Sequence, residues 1–244
     1  MGFLQNIFKK NEEAKNTLGF MQSDIPAASI ELDNYKVNLN KVTINLSKST
    51  GVSFDNLKSK VKLVLDYSGS MRSLYNNGTV QRVITKLLPL AIKFDDDGEL
   101  DCYLFSNGHK AIESCTEQNY VNYISSVVET SGFRMGGTEY ASVLKTIHKE
   151  DTNKIPTFTI FITDGDNSDK SETDAIIRKI SNDNGFVMFV GIGNDDFTYL
   201  SKLDNLAGRS VDNTGFIRFS DIDKVNETEL YNKLLTEYAS WLKR

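Results

Sequence analysis

The chain has 244 residues, 39% hydrophobic and 25% charged, with a net charge of −5, the proportions of a soluble globular protein able to bury a sizeable core. The negative balance and the lack of a long Lys/Arg run argue against nucleic acid, and no apolar run approaches the roughly 18 residues of a membrane-spanning helix. Two cysteines, and a first segment MGFLQNIFKKNEEAKN whose apolar part is broken at Gln5 and Asn6, lead to the expectation of a cytoplasmic protein without a secretory signal.

The elements suggest an extension over residues 1–57 and one α/β domain over 58–244. Phe3, Leu4, Ile7 and Phe8 share one face of a short helix, expected to dock on its own domain in preference to a membrane or a partner helix. VNLNK (37–41) and INLSK (44–48) alternate apolar with polar side chains and are expected as extended strands of an edge hairpin. VKLVL (61–65) is an apolar run suited to a strand covered on both faces. A helix follows over about 79–93, with Pro89 inside it to kink it or tighten its end. Asp95-Asp96-Asp97-Gly98 should close that helix and turn into the next strand.

ELDCYLF (99–105) and KAIESC (110–115) flank Ser106-Asn107-Gly108-His109, an Asn-Gly hairpin signal that makes these two strands antiparallel. Cys102 and Cys115 then lie on adjacent strands, where two buried free thiols are favoured over a disulfide. Helices are expected around Val121, Ile124, Val127 and Val128, and from about Glu139. TFTIFIT (157–163) is a strand, 171–182 a helix, FVMFVGI (186–192) a strand, 196–206 a short helix, 210–219 a weaker strand and 224–242 a last helix. This alternation implies a doubly wound, mostly parallel central sheet with one antiparallel edge hairpin strand and helices on both faces.

Ligands of such sheets sit outside the carboxyl ends of the strands. Asp66-Tyr67-Ser68-Gly69-Ser70 occupies that place after the first core strand, and Asp164-Gly165 after TFTIFIT. A third loop, Arg134-Met135-Gly136-Gly137-Thr138-Glu139, is bent by two glycines, which leaves Thr138 able to cap a helix and to donate an oxygen. Asp66, Ser68, Ser70, Thr138 and Asp164 are hard oxygen donors with no His or Cys among them, a set suited to magnesium, calcium or manganese and unsuited to zinc or copper. The three hydroxyls are the candidate direct ligands, and the two aspartates bind directly or through coordinated water. Gly69, Gly136, Gly137 and Gly165 shape the loops; Tyr67, Arg72, Arg134, Glu139 and Asp166 are candidate rim contacts. By strand alternation Tyr67 points away from the ion, and the Asp166–Asp169 loop is expected as solvated surface.

Asp-x-Ser-x-Ser followed by Met, a later Gly-Gly-Thr and a strand-terminal Thr-Asp-Gly resemble the von Willebrand factor A domain with its metal-ion-dependent adhesion site. The resemblance covers roughly residues 58–244. It implies that the five matching positions hold a divalent cation, normally magnesium, and that an acidic residue of a protein partner completes the coordination. DYSGSM, GGTEYASVL and FITDGDNSD are most similar to the bacterial TerF-like branch, associated with tellurium and toxic-cation resistance.

Two other classes compete with this interaction module. A magnesium-dependent phosphoryl-transfer enzyme could use the same strand-end carboxylates, but there is no G-x-x-x-x-G-K-[ST] loop, no G-x-G-x-x-G and no G-x-S-x-G, and His109 and His148 stand alone. A structural domain with a lapsed site would have no need of five intact donors. The oligomeric state is not legible.

Overall fold

The computed structural model describes residues 27–151 and 154–244; the helix expected at Phe3–Phe8 lies outside them. Helix α1 spans residues 27–50. Strand β1 is Lys60–Asp66, followed by α2 (Arg72–Asn76) and α3 (Thr79–Phe94). The hairpin is β2 (Leu100–Phe105) and β3 (His109–Cys115). Next come α4 (Ala141–Glu150), β4 (Thr157–Thr163), α5 (Lys170–Ile180) and β5 (Gly185–Ile192). The chain ends with α6 (Thr198–Asp204), β6 (Thr214–Phe219) and α7 (Glu227–Leu242).

The strands form one six-stranded sheet in the order β3-β2-β1-β4-β5-β6. Every neighbouring pair is parallel except β2 and β3, so the antiparallel hairpin is an edge, as the Asn-Gly signal requires. Alternate side chains serve two cores. Val61, Leu63 and Leu65 of β1, Phe158, Ile160 and Ile162 of β4, and Phe186, Met188 and Val190 of β5 pack on the side of α1, α3 and α7. Val64, Phe161, Val187 and Phe189 face α4, α5 and α6. This is the period of two of a strand covered on both faces. Cys102 and Cys115 are free and buried.

Three expectations change. VNLNK and INLSK are not strands: both lie within α1. Leu32, Tyr35, Leu39, Val42 and Leu46 recur every three or four residues and are buried, the four aliphatic ones in the first core, while Val37 and Ile44 are 50% and 47% exposed. A strand would put Val37 beside Leu39, whereas a helix turns them about 200° apart. Lys93 Nζ donates to Asn40 Oδ1 at 3.0 Å, tying α1 to α3.

The helix expected around residues 121–128 breaks into a 3₁₀ turn (Tyr120–Asn122), a π turn (Ile124–Val128) and a second 3₁₀ turn (Glu129–Ser131). Ile124 N donates to the Gln81 side chain at 3.0 Å. Ser126 and Thr130 hydroxyls donate back to the carbonyls of Asn122 and Ser126 at 2.7 and 2.6 Å, competing with the helical ladder. Pro89 lies inside α3, which continues to Phe94. Finally, Thr138 does not cap α4. That role belongs to Asp169, whose carboxylate accepts from Tyr140 N and Ala141 N at 3.0 and 2.8 Å.

Candidate metal centre

The sheet's winding reverses between β1 and β4: from β1 the chain builds β2 and β3 on one side, then returns to place β4, β5 and β6 on the other. A crevice opens outside the carboxyl ends of strands at such a switch point. Asp66 is the last residue of β1, and Asp164 directly follows Thr163 of β4.

Asp66 is fully buried. Its carboxylate accepts from Ser68 N at 2.8 Å and from Thr163 Oγ1 at 2.6 Å, and Tyr75 donates its hydroxyl to the Asp66 carbonyl at 2.9 Å. Burial pushes the Asp66 carboxyl up to about 6, against the lowering effect of Thr163 and Ser68. Burial also raises Asp164, opposed by its bond from Ser70 and reinforced by the charge of Asp195. Among the described residues neither aspartate is in an ion pair. Two acids desolvated with only neutral donors are short of positive charge. Ser68 and Ser70 hydroxyls lie 2.9 Å apart, and Ser70 donates to Asp164 Oδ1 at 2.9 Å. Asp66, Ser68, Ser70 and Asp164 thus form one continuous polar set, fed by two loops.

The third loop is sewn to both. Gly69 N donates to Gly136 O at 3.0 Å and Gly136 N to Tyr67 O at 3.3 Å, making a parallel bridge between Ser68 and Gly136. Ser168 donates to the Thr138 carbonyl through its backbone at 2.9 Å and its hydroxyl at 3.2 Å. Thr138 is tied through its carbonyl to Ser168 in the loop after β4; no hydrogen bond joins its hydroxyl to the other four donors.

Asn107 is a positioning residue that the hairpin signal concealed. Its side chain accepts from Gly137 N at 2.7 Å, and a Cβ on Gly136 would meet its Oδ1 at 2.2 Å. A side chain at 136 would therefore have to push the Asn107 amide aside. Gly69 and Gly165 have room for a Cβ, and their bends place no such demand. Thr163, Tyr75 and Asp169 were also missed. Their partners are distant in sequence, so no local motif marks them. The loop expected as solvated surface has a buried member, Asn167, which donates to Asp169 and Thr173 at 2.6 and 2.9 Å.

Of the rim residues, Tyr67 packs edge-on against Tyr75 with ring centres 5.1 Å apart and lies against Phe133 at 6.1 Å. Arg72 and Arg134 are exposed and line one cavity with Tyr67. Glu139 N donates to Ser106 O at 2.9 Å, and Asp166 pairs with Lys170 at 2.5 Å. A separate acidic group, Asp95, Asp96 and Asp97, already surrounds a cation: Lys60 Nζ reaches the three at 2.7, 2.8 and 3.1 Å.

The family described as the vWA domain found in the TerF C terminus matches residues 58–244. The chain belongs to the TerF-like von Willebrand factor A family. The VWA protein is 36% identical over 222 residues to an uncharacterized protein, YcbR, of Bacillus subtilis strain 168, covering 88% of this chain and 87% of that one. Proximal thread matrix protein 1 of the mussel byssus superposes with a TM-score of 0.57 at 15% identity, over 75% of this chain and 48% of its own. This chain thus spans about half the length of that protein. Manganese-loaded Plasmodium vivax TRAP protein superposes at 0.51 with 16% identity, over 73% of this chain and 74% of its own. At such identities the two structures speak for the VWA fold alone.

The hard-oxygen donor set and the uncompensated Asp66 carboxylate fit a divalent cation in this VWA domain. No helix among the described residues is long and apolar enough to cross a membrane.

Proposed function

We propose that the domain is a divalent-cation-dependent protein-interaction module. Asp66, Ser68, Ser70, Thr138 and Asp164 hold magnesium, with manganese and calcium as related hard ions. Bound there, the ion supplies an electrophilic position for a carboxylate of a protein partner. The observation that carries this reading is the Asp66 carboxylate, fully buried at the switch point and facing no cationic side chain among the described residues.

The chain's own residues divide the work. Ser68, Ser70 and Thr138 present neutral oxygens, which leave the ion under-neutralised and receptive to an outside acid. Ser70, by donating to Asp164, orients that carboxylate, which serves directly or through a held water. Asn107 fixes the Gly136-Gly137 bend beside them.

Capture suits this arrangement better than catalysis. The two serine hydroxyls bond to each other and to Asp164, and among the described residues neither is hydrogen-bonded to a histidine or lysine. His109 is engaged by Thr146 at 2.7 Å and His148 by Asp183. On the family resemblance alone, we extend the reading to a cytoplasmic setting in a tellurite or toxic-cation stress system.

Calorimetry with magnesium tests the site. Ser68→Ala and Asp164→Ala are each expected to abolish magnesium binding while keeping the circular dichroism spectrum of the fold. Unchanged magnesium affinity in both variants would sink the assignment. Pull-downs with and without chelator test the interaction role, and phosphate-ester turnover with magnesium tests the enzymatic alternative.

A further inference from the structure

The two arginines beside the metal loops stand out. Arg72 lies two residues after Ser70, at the start of α2, and Arg134 two residues before Gly136, so each sits next to a loop that carries the proposed ion. Those loops are clasped by the Gly69–Gly136 and Gly136–Tyr67 bonds, which makes their relative placement rigid. Both side chains line a cavity of about 380 Å³ together with Tyr67, Asn76, Glu129 and Met135. Its floor is firm, because the Tyr67 ring is wedged between Tyr75 and Phe133.

Arg82, Arg178 and Arg209 are spoken for by Asp223, Asp174 and Asp212. Among the described residues Arg72 and Arg134 are in no ion pair, although Glu129 shares their cavity. Two guanidinium groups against one carboxylate leave a single positive charge unanswered. That matches one further carboxylate better than a doubly charged phosphate. Arginine's planar fork is also suited to two-point contact with a carboxylate.

We propose that the partner segment is doubly acidic: one carboxylate completes the proposed cation's coordination, and a second, a few residues away, is held by Arg72 and Arg134 in the adjoining cavity. The proposal rests on the metal-mediated capture above and adds to it the partner's second recognition point.

The test uses the full chain and synthetic peptides. Blocked peptides carrying two glutamates one, two or three positions apart are compared with counterparts in which the second glutamate is glutamine. Binding is followed by NMR, in saturating magnesium and again in chelator. At least one diacid is expected to bind about tenfold more tightly than its monoacid counterpart, and to shift the guanidinium Nε–H signals of Arg72 and Arg134, which the monoacid leaves in place. In the double variant Arg72→Gln, Arg134→Gln the ratio is expected to fall to about one, with magnesium affinity by calorimetry unchanged. Equal binding of every diacid and its counterpart overturns the proposal, as does a preference that survives the double variant. An arginine-dependent preference for a diacid that is the same in chelator keeps the fork and removes the metal from the reading. Absence of both magnesium binding and any diacid preference overturns the two together.

Discussion

Asp66 shows how one side chain couples stability to pH. In the folded, metal-free protein its carboxyl is pushed from an ordinary 3.8 up to about 6 by burial. The folded state therefore holds this proton more tightly than the unfolded chain does. Its contribution to stability is complete below about pH 4 and is lost as pH rises through about 6. The loss is on the order of 3 kcal/mol. Urea unfolding in chelator across that range should show the decline, and Asp66→Asn should remove it. Asp223 acts with the opposite sign. Arg82 holds it down at about 2, so its contribution fades only as pH falls from about 4 towards 2. A cation that binds the ionised Asp66 competes with the proton. The rise in melting temperature on adding magnesium should therefore be larger near pH 7 than near pH 5, and an equal rise at both would count against Asp66 as a ligand. None of these environments is visible in the motif itself. Asp-x-Ser-x-Ser names the donors, while the burial of Asp66 and its bond from Thr163 depend on β4 lying beside β1.

At the scale of elements, α1 offers a clean contrast. Leu39 is 1% exposed and Val37 50% exposed, two residues apart. Leu39→Ala should cost about 2–5 kcal/mol, whereas Val37→Ala should stay within about 0.5 kcal/mol of neutral; chemical denaturation measures both. Comparable costs would argue for the extended geometry that the alternation first suggested. VNLNK and INLSK each satisfy a period of two, while Leu39, Val42 and Leu46 keep a spacing of three and four, and a short window does not separate the two patterns. What decides is the longer stripe from Leu32 to Leu46, because its aliphatic members Leu32, Leu39, Val42 and Leu46 all find the first core. The hairpin, by contrast, was legible because Asn-Gly chemistry is local. Even there, Asn107 has a second task that the turn signal hid. Asn107→Ala should cost about 1 kcal/mol for the lost bond to Gly137 and weaken magnesium binding. Gly136→Ala should do the same by displacing the Asn107 amide. Full magnesium affinity in both variants would show that the bend needs no such clamp.

For the whole molecule, the sheet order places both aspartate-bearing strand ends at the switch point and sends the glycine loop across them. A ligand confined to the folded state adds stability as the logarithm of its concentration over its dissociation constant. Magnesium at about 100 times that constant should therefore raise unfolding free energy by roughly 2.7 kcal/mol. Thermal melts with and without chelator read this directly, and the gain should vanish in Ser68→Ala.

By itself the sequence determined the α/β alternation, the antiparallel edge and the oxygen chemistry of the three loops, because periodicity, turn residues and donor type are local properties of a chain. Only the tertiary structure decided that residues 27–50 are a helix in the first core, that Asp169 rather than Thr138 caps α4, and that Asn107 and Thr163 hold the site residues in place. Those outcomes are contacts between segments far apart in the chain, and their free energy exists only once the sheet has brought the segments together.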